Sequence, residues 1–150
     1  MSASEKRPKG LLPPHVFLAS TILIITAGYL ETGRGASFNW GAILVIVAFI
    51  IAAWAARQFK KAETTIYPGR DANTLVKSGP FAYSRNPMYL GMFFALCGFW
   101  VGTQAISPLP IVVAFPIIIQ NRFIEKEEAN LERLFGEDYS TYKSKVRRWL

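Results

Sequence analysis

The stretch WGAILVIVAFIIAAWAA, residues 40–56, decides what kind of protein this is. It carries no charged side chain, and its length matches the ~17–25 residues that a helix needs to cross the hydrocarbon core of a bilayer. Trp40 and Trp54 stand near its two ends, where interfacial aromatics collect. Three further apolar blocks flank it, at residues 13–30, 88–105 and 107–119. The last two are marginal as independent spans. A chargeless turn, Ile106-Ser107-Pro108-Leu109-Pro110, joins them, so they read as a tight hairpin that inserts as one unit. The expected fold is all-α: an integral membrane helical bundle of about four transmembrane helices, with C-terminal helices on the cytoplasmic side.

Composition agrees with this. The 150 residues are 51% hydrophobic and 14% aromatic, and the excess is gathered in blocks, as a bilayer requires. The net charge of +7 fits either nucleic acid or an anionic membrane surface. Position decides between them. Four spans place sixteen of the seventeen basic residues on one side, and only Arg34 falls on the other. The positive-inside rule then puts both termini and the long middle loop in the cytoplasm, and the basic residues follow topology rather than a nucleic-acid surface. A signal peptide over the first block is disfavoured, because Glu31-Thr32-Gly33-Arg34-Gly35 offers no small-x-small cleavage site. One domain over residues 1–150 is expected, with a flexible start at 1–12 and the chemistry-bearing core at 64–146.

Cys97 and His15 are single copies. No disulfide within the chain is possible, and two such residues cannot build a tetrahedral metal site. Cys97 reads as a small hydrophobe in packing and His15 as an interfacial residue. No dinucleotide-type or Walker-type glycine loop occurs, so any cofactor binds outside a Rossmann framework.

Two polar segments carry the chemical information. In the first, Gly79-Pro80 marks a turn, and Asn86-Pro87 reads as a helix start with Asn86 as cap and Pro87 at the first helical position. Such a helix N-terminus favours a carboxylate or phosphate. The plainer reading is an ordinary interfacial helix with Arg85 snorkelling. In the second, the last apolar block continues as a helix with Ile124, Leu131, Leu134 and Phe135 on one stripe. Gly136 reads as its C-cap, and Asp138 as the cap of a second short helix carrying Tyr139, Tyr142 and Val146. Glu127 or Glu128 can accept hydrogen bonds from a ribose or an amine, or balance a sulfonium. The plainer reading is a solvated charged face.

At these two segments the chain resembles the superfamily of isoprenylcysteine carboxyl methyltransferases and phospholipid methyltransferases. The resemblance rests on Leu75-Val76-Lys77-Ser78-Gly79-Pro80-Phe81, on Arg85-Asn86-Pro87-Met88-Tyr89-Leu90-Gly91, and on Glu127-Glu128-Ala129-Asn130-Leu131 followed by Phe135-Gly136-Glu137-Asp138-Tyr139-Ser140-Thr141-Tyr142. Two ordered motifs flanking a hairpin cover about half the chain. The resemblance implies an integral membrane methyltransferase that uses S-adenosylmethionine and takes a lipophilic small-molecule or lipid-linked acceptor, carboxyl or amine, from the bilayer. By position it implies that Asn73, Thr74, Leu75, Val76, Phe81, Asn86, Pro87, Met88, Tyr89 and Glu127 bind the cofactor. It gives Tyr89 and Arg122 to catalysis, Arg122 standing one residue off the family spacing of a substrate-orienting arginine. Asn86 replaces the His of the eukaryotic carboxyl methyltransferases. An amide keeps a donor and an acceptor but takes no proton near neutral pH, which argues against an imidazole-type base here. Methyl transfer suits such a site, because the sulfonium is already activated and positioning supplies much of the rate.

Three other readings remain. A sterol-reductase-like enzyme shares part of this architecture, but the chain is short for one. A non-catalytic adaptor would use the basic face to hold anionic lipids. A transporter or channel subunit would need ionisable residues inside the apolar blocks, and the sequence places none there.

Overall fold

The computed structural model describes residues 11–37, 40–63 and 74–150. Asn73, the start of the expected core at residue 64, and residues 1–10 lie outside them. Among the described residues the secondary structure is entirely helical. Six α-helices follow one another: α1 Pro13–Thr32, α2 Trp40–Lys61, α3 Pro87–Thr103, α4 Leu109–Ile119, α5 Glu125–Phe135 and α6 Glu137–Lys145. A 3-10 turn, Gly79–Ala82, precedes α3, and a π-helical turn, Gln120–Ile124, joins α4 to α5.

Prolines at the first positions of α1 cost it no hydrogen bond, since those N–H groups would be unpaired anyway. His15 accepts the Leu12 N–H through Nδ1 at 3.1 Å and so closes the helix start. Gly33 ends the helix at φ 65°, a left-handed conformation that suits glycine. Helix α2 runs past the apolar block and carries Arg57, Lys60 and Lys61 on its final turns. The cations there complement the helix dipole, and their long stems extend the apolar surface.

Helices α1 and α2 are each long and apolar enough to cross a membrane. Their large apolar side chains point outward: Leu30 is 77% exposed and Phe49 75%, with Leu18, Ile22, Ile46 and Ile50 also exposed. A soluble core helix buries such residues, so this outward apolar surface calls for lipid or a partner. Helices α3 and α4 are shorter, at 17 and 11 residues.

Small residues set the packing of α2 on α3. Gly91 and Gly98 lie two turns apart on one face of α3, against the backbone of α2. A Cβ at Gly98 would stand 2.5 Å from the Gly41 carbonyl oxygen, so any side chain there forces the two helices apart. On the other face of α3 the core is built from Val16, Ile24, Tyr89, Leu96, Val112, Phe115, Ile119 and Ile124, contributed by α1, α3, α4 and the π-helical turn.

The hairpin turn begins earlier than its prolines suggest. Gln104 already adopts a left-handed conformation at φ 54°, and Trp100 closes the turn by donating to the Ala105 carbonyl at 2.8 Å. The Glu31 carboxylate on α1 accepts the N–H groups of Ile106 and Ser107 at 3.1 and 2.7 Å, which pins the turn to the end of α1.

Two caps differ from the sequence reading. Asn86 occupies the N-cap position of α3 without a side-chain cap bond. Helix α6 begins at Glu137, with Gly136 as its N-cap residue at φ 49°, so Asp138 belongs to its first turn. For Asn86 the reason is that its side-chain amide donates to the Arg148 carbonyl, described below.

Candidate functional site

The residues before α3 form a scaffolded loop. Gly79 turns the chain at φ 64°, with Ser78 Oγ donating to Gln58 Oε1 on α2 at 3.0 Å. Phe81 is buried edge-on against Phe59, with ring centroids 5.2 Å apart. Its carbonyl accepts the Tyr142 hydroxyl of α6 at 2.6 Å. Loop, α2 and α6 are thus held together before α3 begins, and Phe81 serves that packing. Thr74 is exposed; Leu75 and Val76 are half-buried. Asn86 and Met88 are half-buried and Pro87 is buried.

Tyr89 stands on the first turn of α3. Its hydroxyl donates to Glu127 Oε1 on α5 at 2.7 Å, across 38 residues of sequence. The two segments singled out by the sequence therefore meet at this pair. Burial pushes the Glu127 carboxyl above the ordinary carboxylate range; the Tyr89 hydrogen bond opposes this and the neighbouring Glu128 charge adds to it. Among the described residues no Lys or Arg pairs with Glu127.

Glu128 behaves in the opposite way. Successive residues on a helix point about 100° apart, so it faces away from its neighbour. It is 6% exposed. Arg85 reaches its Oε1 through Nε and Nη2 at 3.1 and 2.8 Å. Arg148 reaches Oε1 through Nε at 3.2 Å and Oε2 through Nη2 at 2.7 Å. Burial would raise this carboxyl, but the hydrogen bonds from Arg148 and Arg85, with their charges, outweigh it and hold it below the usual range. The same bond to Glu128 raises Arg148.

The joint extends into the backbone. Arg85 Nη1 donates to the Val146 and Lys143 carbonyls at 2.8 and 3.1 Å, capping the end of α6. The Arg85 N–H donates to the Arg147 carbonyl at 2.9 Å. Asn86 Nδ2 and Ser84 Oγ both donate to the Arg148 carbonyl, at 3.0 and 3.3 Å. Tyr139, buried beside these charges with its hydroxyl unpartnered among the described residues, is pushed up to about 12 by burial first and by Glu128 second. Arg85 is therefore a buried structural cation and not a snorkelling one; its side chain is only 9% exposed.

Two adjacent carboxylates thus have separate work. Glu128 is consumed by two guanidiniums and fixes the fold. Glu127 is held by a phenol and has no counter-ion among the described residues, so it fits a ligand that brings a cation or hydroxyl donors. Arg122 is exposed on the π-helical turn. Sequence reasoning did not find Arg148 or Ser84. Arg148 registers in the sequence only as one of a run of C-terminal basic residues, and nothing local marks its partner twenty residues away.

A family model described as phospholipid methyltransferase matches residues 37–138. The Xenopus laevis protein-S-isoprenylcysteine O-methyltransferase is 38% identical over 81 residues, which is 51% of this chain and 26% of the relative. The human protein of the same name is 38% identical over 81 residues, 51% of this chain and 27% of the relative. The Saccharomyces cerevisiae one is 36% identical over 80 residues, 49% of this chain and 31% of the relative. The chain thus spans between a quarter and a third of the length of these curated relatives. No solved structure matches it.

Proposed function

Because the chain belongs to the phospholipid methyltransferase family, we propose that it is a membrane enzyme that transfers the methyl group of S-adenosylmethionine to a lipophilic acceptor. The observation that carries this reading is the Tyr89–Glu127 contact, in which two segments far apart in sequence converge on a carboxylate that has no cationic partner among the described residues. When bound, S-adenosylmethionine supplies a methyl group activated by its sulfonium.

The chain's own residues do the rest. Glu127 takes the cofactor's polar part, and Tyr89 fixes the direction of the carboxylate. Asn73, Thr74, Leu75, Val76, Pro87 and Met88 complete the binding segment as the family pattern assigns them, and Phe81, which that pattern also assigns, supports the segment through its packing on Phe59. Asn86 donates its amide to the Arg148 carbonyl, so it is held in place and takes no proton. A carboxylate acceptor needs no base, and an amine needs only its free form. Arg122, exposed on the π-helical turn, would orient an anionic part of the acceptor, the role the family pattern gives to an arginine one residue away. Low-dielectric surroundings at the membrane edge strengthen these contacts.

The topology that suits this chemistry has α1, α2 and the α3–α4 hairpin in the bilayer, with both termini and the site in the cytoplasm. The one-sided distribution of basic residues supports it. The curated relatives named above act, by name, on S-isoprenylcysteine, and the family model is named for phospholipid, so both point to a lipophilic acceptor.

The test is methyl transfer itself. Membranes containing the overproduced chain, incubated with methyl-labelled S-adenosylmethionine, are expected to accumulate label in the organic extract. The Glu127→Gln variant is expected to lose that signal. Equal labelling of membranes with and without the chain would contradict the reading.

A further inference from the structure

The family match ends at residue 138, yet the joint beside the site is completed by residue 148. Arg85 binds only Oε1 of Glu128, which leaves that carboxylate free to rotate about its own axis. Arg148 engages Oε2 at 2.7 Å and Oε1 at 3.2 Å, so the two guanidiniums together fix both oxygens. Fork-to-fork contacts of this kind give geometric definition as well as energy. Glu128 is covalently next to Glu127, so fixing it fixes the roll of α5 about its axis. That roll decides whether Glu127 faces Tyr89.

The tail that carries Arg148 is itself anchored at both ends of the site. Its backbone carbonyls at Arg147 and Arg148 take donors from Arg85, Asn86 and Ser84 before α3. Trp149 Nε1 donates to Gln120 Oε1 on the π-helical turn at 3.3 Å, and the indole packs against the core. The tail bridges the loop before α3 and the π-helical turn before α5.

We propose that Arg148 is a positioning residue: by clasping Glu128 from the C-terminal tail, it holds Glu127 against the Tyr89 hydroxyl and so sets the affinity for the adenosyl donor. The inference rests on the reading that Glu127 binds that donor. Substituting the side chain leaves the tail's backbone carbonyls in place, so Arg148→Ala isolates the clasp from the rest of the anchoring.

A double-mutant cycle on the full chain in detergent tests it, with S-adenosylmethionine affinity measured by calorimetry. Arg148→Ala is expected to weaken binding by roughly tenfold, and Arg148→Lys to recover part of the loss. On the Glu127→Gln background, Arg148→Ala is expected to have no further effect, because its influence passes through Glu127. A merely structural weakening would add to the Glu127→Gln loss instead. Additive losses, or an Arg148→Ala affinity equal to that of the unsubstituted chain, overturn the inference. If Arg148→Ala does not fold, Arg148→Met, which keeps the apolar stem for packing but has no donor for Glu128, replaces it in the cycle with the same two deciding outcomes. Absence of binding by the unsubstituted chain would sink the cofactor reading itself, and is distinct from either.

Discussion

Glu127→Gln is expected to cost roughly 30-fold or more in affinity for S-adenosylmethionine while raising the thermal unfolding midpoint of the ligand-free protein. The affinity loss follows from removing a charged acceptor, and hydrogen bonds to charged groups contribute about 1.5–3 kcal/mol. The stability gain follows from the sign of the pKa shift. Burial raises the Glu127 carboxyl in the folded state. The ionised form therefore destabilises the fold above that raised pKa, and the cost is relieved as pH falls through it. Glutamine removes the charge and keeps an oxygen to accept the Tyr89 hydroxyl. The same shift gives cofactor binding a pH dependence: affinity for the cationic donor falls as pH drops through a range above that of an ordinary carboxylate. Calorimetry with S-adenosylmethionine and with S-adenosylhomocysteine separates two roles for the carboxylate. A larger loss for the sulfonium ligand places Glu127 at the charge, and equal losses place it at hydroxyl or amino groups. No loss for either ligand would remove Glu127 from the site.

Glu128→Ala is expected to be far more damaging to the fold. It leaves the Arg85 guanidinium, 9% exposed, and that of Arg148, 29% exposed, without their shared counter-ion. Removing one partner of a buried pair costs about 3–5 kcal/mol, a large part of the ~5–15 kcal/mol that holds a domain folded. The variant is expected to unfold at a much lower temperature in detergent, and Glu128→Gln to fall between it and the unsubstituted chain. The pH dependence runs opposite to that of Glu127. Burial favours the neutral acid, but the Arg148 and Arg85 bonds outweigh it and lower the folded pKa of Glu128. Its contribution is complete above the unfolded value of ~4.3 and is lost as pH falls through the lower folded one. An unchanged midpoint for Glu128→Ala would mean that the joint does not hold the fold.

The fold was legible in the sequence wherever apolar length and charge decide it. Residues 13–30 and 40–56 contain no charge, and α1 and α2 contain both stretches, each running on past its end. The turn between α3 and α4 was legible from its prolines, though Gln104 starts it sooner. The continuation of α4 into α5 was legible as a helix, but the π-helical turn within it was not. One residue inserted into a helix rotates everything after it by about 100°, and composition carries no trace of that phase shift. The site was legible in part. Family resemblance selected Tyr89 and Glu127, and their contact at 2.7 Å brings the two motifs together. From residues alone Glu127 and Glu128 were interchangeable, because a helix segment does not say which of two adjacent carboxylates meets a guanidinium. That choice is made by Arg85, 43 residues before Glu128, and by Arg148, 20 residues after it. Pairings over such separations have no local signature, so Arg85 read as a cation snorkelling at the interface.

Hydrogen–deuterium exchange on the detergent-purified chain, with and without S-adenosylhomocysteine, examines the two-segment enclosure most directly. The amides around Tyr89 at the start of α3 and those around Glu127 at the start of α5 are expected to gain protection together when the ligand is added. Protection confined to one of these segments, or to neither, would contradict a donor site shared between them.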